Sequence, residues 1–272
     1  MIRGAARTRD GEQEEPNVKR TDVAAVLGIP VNGRPLDALV AEALAAVRRA
    51  ADPIVFACAN PHSLVIAQDD ACFRAALLRA DQLVVDGVGI TLMARALGMR
   101  IGPRITGADY FFALMRALSA TGRGKVFFLG SSQQVLARIA ARLKTDFPGV
   151  ELCGTLAPPF RPWSGAENDA MLARINAAAP DVLWVGMTAP KQEMWVEANR
   201  HRLAVPIIGS IGAVFDFYAG TVPRAPRWMC RCGIEWVYRL AREPKRMWRR
   251  NLISSPRFVA MMIQRQVLDE NG

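Results

Sequence analysis

Between Thr21 and Val222, short apolar runs alternate with longer stretches of helical periodicity, and that rhythm restricts the chain to a layered α/β fold. Residues 53–57 (PIVFA), 83–85, 125–129 (KVFFL), 150–153, 182–186 and 207–211 read as strands. Residues 36–49, 63–80 (in two pieces), 91–97, 108–120, 133–144, 167–178 and 191–199 read as helices. Strands separated by helices predict a mainly parallel, Rossmann-like sheet covered by helices. Half of the chain (51%) is apolar, enough for a sizeable core in 272 residues.

Three strands end in glycine, at Gly130, Gly186 and Gly212. Ligands of open α/β sheets sit beyond the carboxyl ends of the strands. Glycine there admits close approach to the backbone, and the following helix N-termini offer free N–H groups to phosphate. Each glycine alone is equally a turn residue; together the three favour a nucleotide pocket.

The charge is unevenly spread. From Val222 onward there are eleven Lys/Arg against four Asp/Glu, a net +7 of the chain's +10. Trp228, Met229, Trp236, Tyr238, Met247, Trp248 and Phe258 are interleaved with these cations. Such a mixture suits an anionic surface with an apolar layer beneath it. Pro226, Pro244 and Pro256 mark starts of three short helices, 226–242, 244–251 and 256–268. The chain therefore divides into a disordered segment (1–20), an α/β core (21–222) and a basic helical appendage (223–272). Residues 3–20 are polar throughout and lack the apolar core of a signal peptide. No apolar run reaches the ~18–20 residues of a membrane span, so the expected location is cytoplasmic, peripheral on the inner face of the membrane. Five cysteines without a CxxC pair fit neither a zinc site nor a disulfide framework, and read as reduced thiols.

Several polar groups fall at strand ends. Asp86 follows an apolar strand and precedes Gly87-Val88-Gly89, a position suited to a general base or to a helix N-cap. Asn60 follows residues 53–57 and could meet a sugar or a uracil; His62 next to it could do acid/base work or be a satisfied imidazole. Lys191 and Gln192 open a helix beyond Gly186, where the lysine could meet phosphate and the glutamine could read a polar ligand edge. Glu193 beside them reads as a favourable charge in a first helical turn. Asp216 lies just beyond the strand ending near Ile211. No Asp-x-Asp, the usual carboxylate pair for a diphosphate-bound metal, occurs. A leaving diphosphate would then be stabilised by backbone dipoles and cations, of which the tail has several. Arg239, Arg246 and Arg249 are spaced by seven and three, so one helical face could hold the latter pair.

The segments NPHSLVIAQ, VVDGVGI, RITGADY, VFFLGSS, PDVLWVGMTAPKQE, IGAVFDFYAGTVPRAP and GIEWVYRLAREPKRMWRR occur in this order. Through them the chain resembles the WecG/TagA/CpsF bacterial glycosyltransferases over nearly everything from about Ile29 to Phe258. The resemblance implies an inverting, metal-independent transfer of a hexose (N-acetylmannosamine, its uronate, or a glucose-like sugar) from a UDP-sugar, with no metal or other cofactor expected. The implied acceptor is a sugar on a polyprenyl diphosphate. The family's base carboxylate falls on Asp86, its strand-end asparagine on Asn60 and its arginine on Arg104, followed by Thr106 and Gly107. Its pocket glutamine falls on Gln192, its later aspartate on Asp216, and its C-terminal arginines on Arg239, Arg246 and Arg249. Many relatives have Thr-Pro-Asn where this chain has Cys58-Ala59-Asn60, and a thiol is no substitute for a hydroxyl as a strong hydrogen-bond partner.

Two other readings stay open. A dinucleotide-dependent oxidoreductase would need a glycine fingerprint that Gly130-Ser131-Ser132-Gln133 lacks. A non-catalytic membrane-binding module would account for the tail and not for the strand-end groups. Nucleic acid is not expected as a partner, since no reader motif occurs; assembly into a homo-oligomer is left open. A truncation ending at Val222 is expected to keep a folded core and lose most activity.

Overall fold

The strands form around residues that are apolar on both faces, as burial under helices on both sides requires. A computed structural model of the chain describes residues 23–49, 52–223, 225–226, 228–229 and 234–270. The disorder expected of residues 1–20 lies outside that set, as do Cys230 and Cys232; Cys58, Cys72 and Cys153 are free thiols. A hairpin comes first, with β1 (Val23–Val26) antiparallel to β2 (Ile29–Asn32). Leu27 and Gly28 join them at φ of 51° and 71°, the left-handed pair that a two-residue hairpin turn needs. This hairpin was not read from the sequence.

Next come α1 (Leu36–Arg48), β3 (Ile54–Ala59), α2 (Pro61–Asp69), α3 (Ala71–Leu78), β4 (Gln82–Val85), α4 (Val88–Ala96) and α5 (Gly107–Thr121). They are followed by β5 (Lys125–Gly130), α6 (Gln133–Asp146), β6 (Glu151–Leu156), α7 (Gly165–Ala178), β7 (Val182–Gly186), α8 (Lys191–Asn199), β8 (Ile207–Ser210) and α9 (Val214–Ala219). Six strands make one sheet in the order β4-β3-β8-β7-β5-β6, with every neighbouring pair parallel.

Alternate strand residues feed opposite cores. Phe56, Val84, Val126, Phe128, Trp184 and Ile207 pack with α1, α5, α6 and α9. On the other face Leu129, Leu183, Val185 and Ile208 pack with α7 and α8, while Ala57, Ala59, Leu83 and Val85 pack with α2, α3 and the hairpin. The period of two that separates these sets is that of a pleated strand.

The tail contains α10 (Glu235–Arg242), α11 (Pro244–Trp248), a π-helical turn (Arg249–Ser254) and α12 (Ser255–Glu270). The chain from Pro244 to Glu270 is thus continuous where the sequence reading placed a break before Pro256. Proline has no N–H to give an i→i−4 bond, and a wider turn absorbs the mismatch. The Ser255 hydroxyl donates to the Arg250 carbonyl at 3.1 Å within that turn. Phe258 and Met262 of α12 are buried in the cluster that holds Leu64, Val65 and Ile90. No helix among the described residues is long and apolar enough to cross a membrane.

Candidate active site

The sheet ends its strands side by side, and the polar residues that follow them meet there. Ala59 and Val85 are in register on β3 and β4, and the Asp86 N–H donates to the Ala59 carbonyl at 2.8 Å. Asn60 and Asp86 therefore emerge from adjacent strand ends. The chain then doubles back, with the Ile105 N–H donating to the Val85 carbonyl at 3.0 Å, which brings Arg104 and Thr106 alongside.

Helix caps fix the two flanking helices. Asn60 caps α2: its amide oxygen accepts from the Ser63 N–H at 3.1 Å, and its own N–H donates to Ser63 Oγ at 2.8 Å. Thr106 caps α5, donating to Asp109 Oδ2 at 2.7 Å and accepting from the Asp109 N–H at 3.1 Å. Such reciprocal boxes satisfy orphan helix donors and hold the entry angle of the chain. Gly87 adopts φ of 140°, and a Cβ there would lie 3.2 Å from the Pro61 ring, so glycine lets the two loops touch. Gly107 is closed in between Cys58 and Ile211.

Electrostatics sets these groups apart from the rest of the surface. Burial pushes the Asp86 carboxyl up to about 6; Arg104 and Arg250 oppose that shift, while Glu235 and Asp109 add to it. Burial also raises the Cys58 thiol well above its usual range, helped by the charges of Asp86, Glu193 and Asp109. This thiol stays neutral and is only a weak hydrogen-bond donor. Burial raises Glu193 to about 6, against the Gln192 hydrogen bond and the Arg250 charge. His62 is lowered to about 4 by burial and by Arg250, and its Nδ1 shares a 2.8 Å hydrogen bond with Ser254 Oγ of the π turn.

Asp86, Asn60, Arg104, Thr106 and Gly107 thus converge on one end of the sheet. Gln192 joins them from the first turn of α8, buried and close to Gly212. Gly186 and Gly130 stand at adjoining strand ends. The side-chain space of Gly186 is filled by the Phe215 ring, and that of Gly130 by the Gly186 carbonyl, so close packing accounts for glycine at both. Lys191 lies at the rim, its Nζ 4.0 Å from the centre of the Trp163 ring. Asp216 occupies the first turn of α9, where its carbonyl accepts from Thr221.

Of the tail arginines, Arg239 lies over the Phe217 ring at 5.4 Å. Arg249 is exposed and lies over Trp248 at 5.3 Å. The side chain of Arg246 lies outside the described residues. The cation whose charge reaches Asp86, Glu193 and His62 together is Arg250, which the sequence reading had not singled out. Its place depends on the π turn, a feature with no sequence signature of its own. Glu193 and Ser210 were also missed, because a helix start and a strand end do not announce burial.

Among the described residues no group of three His, Cys, Asp or Glu side chains is placed to hold a metal ion. The arrangement supplies a carboxylate poised to take a proton near neutrality, and cations beside it for developing negative charge.

A profile described as "Glycosyl transferase WecG/TagA/CpsF family" matches residues 24–271. A Bacillus spizizenii relative is 31% identical over 208 residues, spanning 76% of this chain and 78% of its own. It is named N-acetylglucosaminyldiphosphoundecaprenol N-acetyl-beta-D-mannosaminyltransferase. A Bacillus subtilis relative of the same name is 26% identical over 212 residues, spanning 78% of this chain and 80% of its own.

Proposed function

The chain belongs to the WecG/TagA/CpsF family of glycosyltransferases, and from that premise we propose that it moves a hexose from a UDP-sugar to a sugar carried on a polyprenyl diphosphate. Family membership sets aside both the oxidoreductase and the non-catalytic module. The names of the two relatives support a lipid-linked N-acetylglucosamine as acceptor and N-acetylmannosamine as the transferred sugar. The product would enter cell-surface polysaccharide.

In this reading Asp86 takes the proton of the acceptor hydroxyl as that oxygen attacks the anomeric carbon. Attack in line with the departing UDP inverts the anomeric configuration. The new bond is carbon to acceptor oxygen, the broken bond is carbon to phosphate oxygen, and the proton ends on Asp86. Negative charge grows on UDP, and guanidinium groups of the tail, with Arg104, are assigned to offset it in place of a metal. Asn60 gives its amide oxygen to the α2 cap, which leaves its NH2 group to donate to a ligand oxygen. The observation that carries the reading is the carboxylate of Asp86, held at a strand end beside Asn60 and Arg104 and under the charge of Arg250.

The tail fits a peripheral membrane contact. Trp228, Trp236 and Trp248 are 60%, 45% and 42% exposed, and Leu252 and Ile253 are also exposed, among cations. Aromatic and aliphatic groups beside arginine suit the headgroup layer of an anionic bilayer. The test is a donor screen with several UDP-hexoses against a short-chain polyprenyl-diphosphate N-acetylglucosamine. Turnover with a UDP-N-acetylhexosamine is expected; turnover with no UDP-hexose would contradict the proposal.

A further inference from the structure

Phe160 is 88% exposed, more than any other large apolar side chain among the described residues; the next, Leu268, is 64% exposed. It stands in the loop of residues 157–164 between β6 and α7, with Pro159, Arg161 and Pro162 exposed beside it. A single exposed apolar residue is ordinary on a protein surface. This one is held out by a braced loop. Trp163 Nε1 donates to the Pro159 carbonyl at 3.0 Å. Arg161 donates to both carboxylate oxygens of Glu167, at 3.0 and 2.6 Å, and Glu167 in turn closes the Ser164 cap of α7. The Lys191 ammonium over the Trp163 ring ties the same loop to the start of α8. Prolines at 158, 159 and 162 restrict the backbone further. The loop therefore cannot simply fold its aromatic ring away from water.

The position of the loop gives the ring a purpose. All six strands are parallel, so the chain leaving β6 emerges at the same end of the sheet as Asn60 after β3 and Asp86 after β4. In the strand order β6 is outermost on one side and β4 on the other. The tail docks toward the β4 side: Ser254 of the π turn meets His62, just after β3, at 2.8 Å. Leu252 and Ile253 of that turn are exposed. Four strand spacings separate β3 from β6, roughly 19 Å. Exposed apolar groups thus flank the strand-end site on both sides.

We infer that Phe160 is a second bilayer contact, which enters the headgroup layer together with the tail and turns the mouth of the site toward the membrane. This rests on the peripheral membrane contact proposed above for the tail. A bilayer suits the ring better than the other partners open to an aromatic side chain. A ring that stacks on a nucleobase is backed by its own pocket, and at 88% exposure neither face of Phe160 is covered. A protein interface needs roughly 800 Å² from each partner, and the neighbours of Phe160 are two prolines and an arginine rather than an apolar patch. One projecting aromatic is enough to add to the hold of a surface-bound protein on lipid. Contacts on both sides of the site also fix its orientation, which a tail alone would leave free to swing. A sugar on a membrane-anchored diphosphate would then reach the strand ends without leaving the headgroup layer.

The test compares wild type, Phe160→Ser and Phe160→Trp by sedimentation with vesicles of phosphatidylglycerol and phosphatidylcholine. Phe160→Ser should bind them about 5–10-fold more weakly, and Phe160→Trp should bind as wild type does. The difference should persist at high salt, which screens the cations of the tail and not an inserted ring. Calorimetry without lipid should give one affinity for UDP in all three proteins. The KM of Phe160→Ser should rise for a polyprenyl-diphosphate acceptor embedded in vesicles and stay the same for a short-chain acceptor in solution. Equal vesicle binding by wild type and Phe160→Ser would overturn the inference, whatever the protein transfers. Weaker UDP binding by Phe160→Ser without lipid, at unchanged vesicle binding, would overturn it in favour of a ring that meets the donor base. Vesicle binding that depends on Phe160, in a protein that turns over no UDP-hexose, would sink the glycosyltransferase reading and leave this contact standing.

Discussion

Asp86 carries opposite consequences for stability and for activity. Its carboxyl titrates at about 6 in the fold and near its ordinary 3.8 in the unfolded chain. Between those values the native state holds more protons than the unfolded state, so this group makes the protein less stable as pH rises through the window. Asp86→Asn removes that penalty. Thermal unfolding of the variant should exceed wild type by about 1–3 kcal/mol above pH ~6 and match it below pH ~4. Equal stability at every pH would show that the carboxyl is solvated. A polar group that costs stability where it stands is what a functional site leaves behind. The position of Asp86 after an apolar strand was legible in the sequence, since a run of apolar residues closed by Asp-Gly marks a strand end. The burial of Glu193 was not. Its place in the first turn of α8 is satisfied by a favourable helix-end charge, and only the tertiary packing shows that this carboxylate faces inward.

At the scale of elements, the tail is held to the core by two unequal kinds of contact. Arg257 and Asp69 form a two-pronged ion pair at 2.6 and 2.8 Å, but both side chains are about half exposed. Screening by solvent leaves that pair little weight. Phe258 and Met262 are buried, and apolar burial of that kind dominates. Phe258→Ala should cost about 3–5 kcal/mol and loosen α12, read as faster hydrogen exchange there; unchanged exchange would contradict the docking. His62 adds a pH-dependent pin. It titrates at about 4 in the fold against 6.5 unfolded, so the unfolded chain binds the extra proton in between, and stability falls as pH drops through that window. His62→Gln should flatten this acid loss, measured as the difference in unfolding temperature between pH ~7 and ~5. The core strands and helices were legible from periodicity. The hairpin was not, because Leu27 is not a residue that signals a left-handed turn. The π turn was not legible either, since Pro256 reads as a helix start.

At the scale of the whole molecule, charge and apolar exposure coincide on the appendage while the polar strand-end groups lie at the sheet. Replacing Trp236, Trp248 and Leu252 with serine should reduce sedimentation with anionic vesicles and leave the affinity for UDP in solution unchanged. Raising the salt should weaken vesicle binding of the wild type as well, since screening acts on the exposed cations. Binding that survives both changes would place the membrane contact elsewhere. The same packing qualifies the truncation at Val222. It removes Phe258 and Met262 from a core cluster, so it tests folding as much as catalysis, and a point change at the base is the cleaner probe. The most direct measurement is the pH dependence of kcat/KM for transfer from a UDP-N-acetylhexosamine to polyprenyl-diphosphate N-acetylglucosamine, in wild type and Asp86→Asn. The account predicts a wild-type rate that rises to a plateau with an apparent pKa near 6, and a variant slower by about 10²–10⁴-fold without that inflection. A variant that keeps the wild-type rate and profile would contradict it.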